Sequence, residues 1–329
     1  MKDLCLIPIP NMESEEFMFN SKIYYSYQLI RIKWKNQTPF FELLNMADNT
    51  IKYICALSKF NLDISSSRKC LGSYELGTHA LIVCKGNHKL LPGQKVCAEC
   101  ENANGFKYCL ACHGERCVAR NTLALAYCNQ KHFVYLAFFP DSIVKVGTAH
   151  YLRKEDRLVE QGALYRIFVA VAPTGKIARQ IEKAISILGY KTAVSAKHKI
   201  NNLVINRNEE EIESLLKDAY IFVCNNIGEE YQKYMVSEFS IVKSPVVIDK
   251  MFSALACNTS SQLSFLEQKE SIDYHVLNDI SRVSGEVVIL AMVGTIALLK
   301  DYNGILFAFD FKKAYGNLIH IAEEKNDEN

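Results

Sequence analysis

Residues 132–148 read HFVYLAFFPDSIVKVGT. Two runs of β-branched and aromatic residues flank Pro140-Asp141-Ser142, so the stretch is predicted to be a strand hairpin. Beyond it, Leu152 to Gln161 carries a helical period and stops at Gly162, and Leu164 to Ala172 is apolar enough for a buried strand. Pro173-Thr174-Gly175 then opens a second helix from Lys176 to Leu188, closed by Gly189. A further helix is predicted over Asn208 to Phe222, where NEEE places acidic charge at the positive end of the helix dipole.

Outward from this core the period changes to two. Lys22 to Trp34 and Thr78 to Lys85 are partly alternating and strand-like, and Gly285 to Gly316 holds three predicted strands with an Asn303-Gly304 turn. We therefore expect an α+β, multidomain chain: an N-terminal mainly β module (1–85), a cysteine-rich knuckle (86–131), an α/β domain (132–225) and a small antiparallel C-terminal β domain (226–329). No internal repeat is visible. Only the last residues, EEKNDEN, have the composition of a disordered tail.

The 329-residue chain carries twelve cysteines. Its N-terminus has no continuous apolar segment of the secretory kind, and the longest apolar run, Val287 to Leu299, is short of the roughly 20 residues of a spanning helix. We expect a cytoplasmic protein that does not cross a membrane and keeps its thiols reduced, which favours metal ligation over disulfides. Lys95 to Cys117 reads KVCAECENANGFKYCLACHGERC, with two Cys-x-x-Cys pairs eight residues apart. Two such knuckles facing each other make a tetrahedral four-sulfur cage, so Cys97, Cys100, Cys109 and Cys112 are assigned to one structural zinc, an iron–sulfur cluster being the alternative on ligand softness. Cys117, Cys128 and His132 are candidates for a second metal, with Cys70, Cys84, His88 or His113 supplying a fourth ligand; ordinary core roles for Cys128 and His132 stay open.

The net charge of +2 is unevenly spread. From Lys145 to Lys199 there are eleven Lys/Arg against four Asp/Glu, whereas from Ile200 to Asn329 there are eleven against twenty. A basic middle in a near-neutral chain is the footprint of a polyanion-binding face, or of a basic module docked on an acidic one.

Phe133-Val134-Tyr135, Lys145-Val146-Gly147, Arg157 and Glu182 within ARQIEKAISIL resemble the core of the GIY-YIG nuclease superfamily, nearest its phage-type variant with a K-I-G second signature. Taken with EQGA (Glu160 to Ala163) and CLAC (Cys109 to Cys112), the arrangement over roughly 70–320 also resembles a family of uncharacterised archaeal and bacterial proteins defined by a shared domain. The GIY-YIG resemblance implies paired strands carrying both signatures, an arginine on the following helix and a metal-binding glutamate on a later one. On it, Tyr135 would position or activate the nucleophile, Lys145 would contact phosphate in place of the second signature tyrosine, Arg157 would clamp phosphate and Glu182 would hold Mg²⁺. Arg153 is a rival for the arginine, because Arg157 stands about two residues further from Gly147 than the superfamily usually places it.

Other motifs fail. Pro173-Thr174-Gly175-Lys176 is not a phosphate loop, since Ala170 replaces the first glycine and Ile177 the required Ser/Thr; there is no Gly-x-Gly-x-x-Gly, nucleophile elbow or His-Glu-x-x-His. The expected function is nucleic-acid binding, DNA or RNA, with Arg153, Arg166, Lys197 and Lys199 as further phosphate contacts and Mg²⁺-dependent endonuclease activity as a candidate. The alternative is a non-catalytic protein-interaction module braced by zinc.

Overall fold

The computed structural model describes residues 17–19, 22–57, 60–61, 63–91, 94, 96–139, 142–195, 198–199, 209–248, 274–277 and 286–323. Six strands come first: β1 (Phe17–Phe19), β2 (Lys22–Lys35), β3 (Thr38–Asn45), β4 (Ile51–Cys55), β5 (Phe60–Asn61) and β6 (Asp63–Arg68). A small hairpin of β7 (Gly72–Tyr74) and β8 (Leu81–Val83) leads to α1 (Ala98–Asn104), a 3₁₀ turn at Lys107–Ala111 and α2 (Thr122–Cys128).

The quoted hairpin forms β9 (His132–Phe139) and β10 (Ile143–His150), paired antiparallel with Tyr135 opposite Gly147. After it come α3 (Lys154–Gln161), β11 (Tyr165–Ala172), α4 (Gly175–Ile187), α5 (Glu209–Asn226), the single turn α6 (Glu229–Gln232) and β12 (Val242–Lys243), giving a sheet in the order β10-β9-β11-β12. This sheet is buried on both faces, which is why β9 reads as nearly continuous apolar sequence rather than alternating. Val134, Leu136 and Phe138 pack with Ile181 and Ile185 of α4 and Leu216 and Val223 of α5, while Tyr135, Ala137 and Phe139 pack with Leu158 of α3.

The last strands are β13 (Val246–Ile248), β14 (His275–Val276), β15 (Glu286–Val293), β16 (Ile296–Asp301), β17 (Leu306–Asp310) and β18 (Asn317–Glu323). β18 pairs with β2 and β6, and β5 pairs with β15. Segments assigned from sequence to separate end domains, 1–85 and 226–329, thus share sheets and one core: Leu29, Phe41 and Leu43 pack with Val287, Leu299, Phe309 and Ile319. The physical reason lies in β2, whose bulge between Leu29 and Arg31 leaves Leu29, Ile30 and Ile32 all buried, so that it needs cover that its own neighbours do not supply.

The two halves meet at the end of α3. Gly162 caps that helix in the left-handed conformation, φ 70°, and Gly294, φ 60°, approaches so closely that a Cβ there would stand 2.7 Å from the Gly162 nitrogen. Trp34 Nε1 donates to the Gly294 carbonyl at 2.8 Å, and Lys312 Nζ donates to the Glu160 carbonyl at 3.1 Å. Among the described residues no helix is long and apolar enough to cross a membrane.

Candidate functional site

Two constellations carry chemistry: a set of thiols ahead of β9, and a set of charged groups around the β9–β10 hairpin.

Cys70 and Cys84 flank the β7–β8 hairpin, and Cys97 stands at the N-cap of α1 with Cys100 in its first turns. The ligand atoms of these four residues all lie within 4.8 Å of one another. Cys84 Sγ is 3.9 Å from Cys97 Sγ, and Cys97 N–H donates to Cys70 Sγ at 3.1 Å. A tetrahedral zinc with bonds of about 2.3 Å sets its sulfurs about 3.8 Å apart, so the set is already close to the size of the cage.

The backbone around the sulfurs is built to match. Gly72, φ 118°, passes so near β8 that a Cβ would sit 2.0 Å from the Ile82 carbonyl oxygen. Burial pushes the Cys84 thiol up, but N–H groups of His88 and Gly86 and hydrogen bonds from Cys100 and Cys70 outweigh it and bring it down to about 7. Burial also pushes Cys70 and Cys100 up, and neighbouring thiols push each in the same direction. Four sulfurs this close ionise together only around a cation, which is what a structural metal supplies.

This partition corrects the sequence assignment. Cys97 and Cys100 belong with Cys70 and Cys84, whereas Cys109 and Cys112 do not join them. The eight residues between the pairs form α1, capped by Gly105 at φ 66°, and then the 3₁₀ turn, instead of the expected hairpin; a helical connection does not fold the second knuckle back onto the first. Cys70 and Cys84 stand 27 and 13 residues before Cys97, beyond any short-motif spacing. The Cys-x-Gly steps at Cys70-Leu71-Gly72 and Cys84-Lys85-Gly86 were the signal that could have found them.

The second constellation brings Tyr135, Lys145, Arg157 and Glu182 within electrostatic reach of one another: Arg157 and Glu182 act on both Tyr135 and Lys145. Tyr135 lies flat over Gly147, where a Cβ would be 2.4 Å from its hydroxyl, so the glycine of Lys145-Val146-Gly147 exists to admit the ring. The tyrosine is 1% exposed, and burial pushes its hydroxyl up to about 12. Lys145 is buried and donates to Gln161 Oε1 at 2.7 Å. Burial first, then Arg157 and Lys312, bring it down to about 8. Glu182 is half-buried and paired with Arg179 at 3.1 Å.

Lys199 and Lys312 complete a group of cations. Burial, then Lys312 and Lys145, bring Lys199 down to about 7. Lys312 comes from the 3₁₀ turn Phe311–Ala314, in the acidic part of the chain, and nothing in its local sequence marks it for this place. The EQGA stretch ties the group together: the Glu160 carbonyl accepts from Lys312, Gln161 accepts from Lys145, and Gly162 and Ala163 provide the close packing.

The structure also sorts the arginines. Both act on His79, but Arg153 is held by Glu160 at 2.9 Å and acts on His150, whereas Arg157 acts on Tyr135 and Lys145. Arg166, expected to meet nucleic acid, is 4% exposed and spent on Ser244 and Glu155, both at 2.8 Å. It lies on a central strand of a sheet buried on both faces, where a cation needs internal partners. Lys197 lies outside the described residues.

Searches of curated proteins and of solved structures return no significant match. One protein-family model matches residues 58–270, a span that includes every thiol discussed and all of the charged group except Lys312, and on that match the chain belongs to the family described as Protein of unknown function (DUF2797).

Proposed function

We propose that this protein binds nucleic acid through a phosphate site formed by Lys145, Arg157, Lys199 and Lys312, on a body braced by zinc at Cys70, Cys84, Cys97 and Cys100. The observation that carries the reading is the convergence of four cations from three parts of the chain into one partly buried place, where burial and the neighbouring cations lower the proton affinity of Lys145 and Lys199. Such a group is costly to keep in a protein interior, and an incoming phosphate offsets that cost by adding negative charge to that of Glu182 and Asp310, which already act on Lys145 and Lys199.

The order of elements supports the likeness to the GIY-YIG core: both signatures on paired strands, Arg157 on α3, Glu182 on α4. In a cleaving form of this site Glu182 would hold Mg²⁺, and Arg157 and Lys145 would neutralise the scissile phosphate. Tyr135 would hold the hairpin in shape, since a fully buried phenol that keeps its proton to about 12 does not serve as a base near neutrality. Binding is therefore the leading role, with cleavage resting on Glu182.

The test is affinity for short single and double strands against salt. Log K should fall by about 0.7 to 0.9 per neutralised phosphate per decade. Lys145→Gln with Arg157→Gln should weaken binding and flatten that slope, while Lys217→Gln with Lys233→Gln, on α5 and just after α6, should not. Equal effects of the two pairs would sink the assignment.

A second reading, docking of a protein, is favoured by a different face. A groove of about 600 Å³ between β10 and α5 is lined by Val144, Tyr190, Leu215, Ala219 and Phe222, and Phe222 is 46% exposed beside it.

A further inference from the structure

Four of the cysteines outside the first cage are not scattered. Cys109 and Cys112 sit in and just after the 3₁₀ turn, Cys117 follows five residues later, and Cys128 ends α2. Cys109 lies within electrostatic reach of Cys128, Cys112 and Cys117, and Cys128 within reach of Cys112 and Cys117. Their sulfurs are less tightly gathered than the first set, since no three of them meet the 4.8 Å separation that Cys70, Cys84, Cys97 and Cys100 meet.

The backbone wraps closely around the Cys112 sulfur, which also lies 4.0 Å from the Arg116 carbonyl oxygen. The Gly114 N–H donates to Cys112 Sγ at 3.4 Å, and the Cys112 N–H closes the knuckle on the Cys109 carbonyl at 3.2 Å. Cys128 Sγ faces the first turn of α4, where the Lys176 N–H lowers its hold on the proton against the effect of burial. Gly175, next to it, admits the sulfur: a Cβ there would stand 3.2 Å away. Gly114, φ 80°, lies against the same helix, with a Cβ position 2.6 Å from the Lys176 carbonyl oxygen. The loop at Gly114 and the end of α2 at Cys128 thus both lean on the first turns of α4, with Gly114 and Gly175 at the contacts.

We propose that Cys109, Cys112, Cys117 and Cys128 bind a second zinc ion, which clamps the cysteine loop and the end of α2 to the start of α4. Zn²⁺ suits four thiolates in a tetrahedron, and the Cys-x-x-Cys step at Cys109 supplies two of them from one turn. The N–H groups of Gly114 and Lys176 orient the ligands from outside the cage. The position matters because α4 carries Arg179 and Glu182, so the second ion would fix the helix from which the charged group is built.

His132 is the rival fourth ligand. Its Nδ1 lies 2.8 Å from the Gln130 carbonyl oxygen and so donates to it, while its Nε2 faces Gly175 on the same side as Cys128. The ring also packs edge-on to Tyr127 and His150, with centroids 5.5 and 5.0 Å away, so the choice between it and a fourth thiol is one the experiment makes.

Native mass spectrometry of the full chain, purified without chelator, should count two zinc ions. Cys109→Ser with Cys128→Ser should leave one, Cys70→Ser with Cys100→Ser should leave the other, and His132→Gln should keep both. One ion in the wild type that survives the Cys109/Cys128 changes overturns the second site, and loss of an ion in His132→Gln overturns the four-cysteine ligand set. One ion that survives only the Cys70/Cys100 changes would uphold this site and remove the first. If the double variants do not fold, the single variant Cys117→Ser with X-ray absorption decides: two zinc ions with an average of four sulfurs in the wild type and loss of one ion in Cys117→Ser support the proposal, and an unchanged ion count in Cys117→Ser refutes it.

Discussion

Replacing Lys145 by methionine should make the protein's stability less dependent on pH while weakening its hold on anions. In the folded chain, burial with Arg157 and Lys312 brings Lys145 from 10.5 down to about 8. The unfolded chain therefore takes up this proton first as pH falls, and the charged lysine costs the folded state stability. That cost is absent above about pH 10.5, grows as pH falls, and is complete below about 8. At 1.36 kcal/mol per unit it reaches about 3 kcal/mol at pH 7 and is roughly half that at pH 9.5. Methionine removes the titration but strands Gln161 Oε1, a pH-independent cost of about 1–3 kcal/mol for a buried acceptor. The sign of the net change at one pH is thus a poor test, and the difference between two pH values is the better one, with Lys199, which Lys145 also lowers, adding to it in the same direction. Urea unfolding of both proteins from pH 7 to 9.5 should show the wild type gaining about 2 kcal/mol on Lys145→Met. A constant difference across that range would mean that Lys145 is not held in this environment, and the case for a strained phosphate site would go with it.

Three more outcomes follow from the same geometry. Gly147→Ala should destabilise by about 1–3 kcal/mol, because the new methyl meets the Tyr135 ring, and the paired change Gly147→Ala with Tyr135→Leu should recover part of the loss in thermal unfolding. Removing metal from the first cage by Cys84→Ser should unfold the β7–β8 and α1 region ahead of the β9–β11 sheet in hydrogen exchange, since ligand capture supplies roughly 10–16 kcal/mol to small zinc modules; equal protection in both forms would argue against a structural ion. With Mg²⁺ or Mn²⁺, any strand nicking by the pure protein should vanish in Glu182→Ala and in Arg157→Ala without a large shift of the thermal transition, and nicking that survives Glu182→Ala would place the activity elsewhere.

Much of the region from 132 to 188 was readable from sequence because its elements are local. The hairpin, the helix ended by Gly162, the strand at Leu164 and the helix opened by Thr174 each follow from period, cap and turn chemistry, and all stand within a residue or two of where those signals put them. Gly147 is legible in the same way once Tyr135 is placed opposite it. The Cys-x-x-Cys pairs also declare metal chemistry on sight.

What tertiary structure alone decided is which distant residues meet. Adjacent knuckles look like partners until a helix forms between them and sends Cys97 and Cys109 to different neighbours. Arg153 and Arg157 lie one helical turn apart on paper, and only the packing of α3 turns Arg157 toward Lys145 and leaves Arg153 to Glu160. Arg166 counted as a surface cation until the sheet closed over it. Lys312 reached the charged group because β18 pairs with β2 and carries the end of the chain back across α3. Period and spacing report how a segment is buried, whereas the choice of partner depends on cores shared by segments nearly 300 residues apart, and no local pattern encodes that.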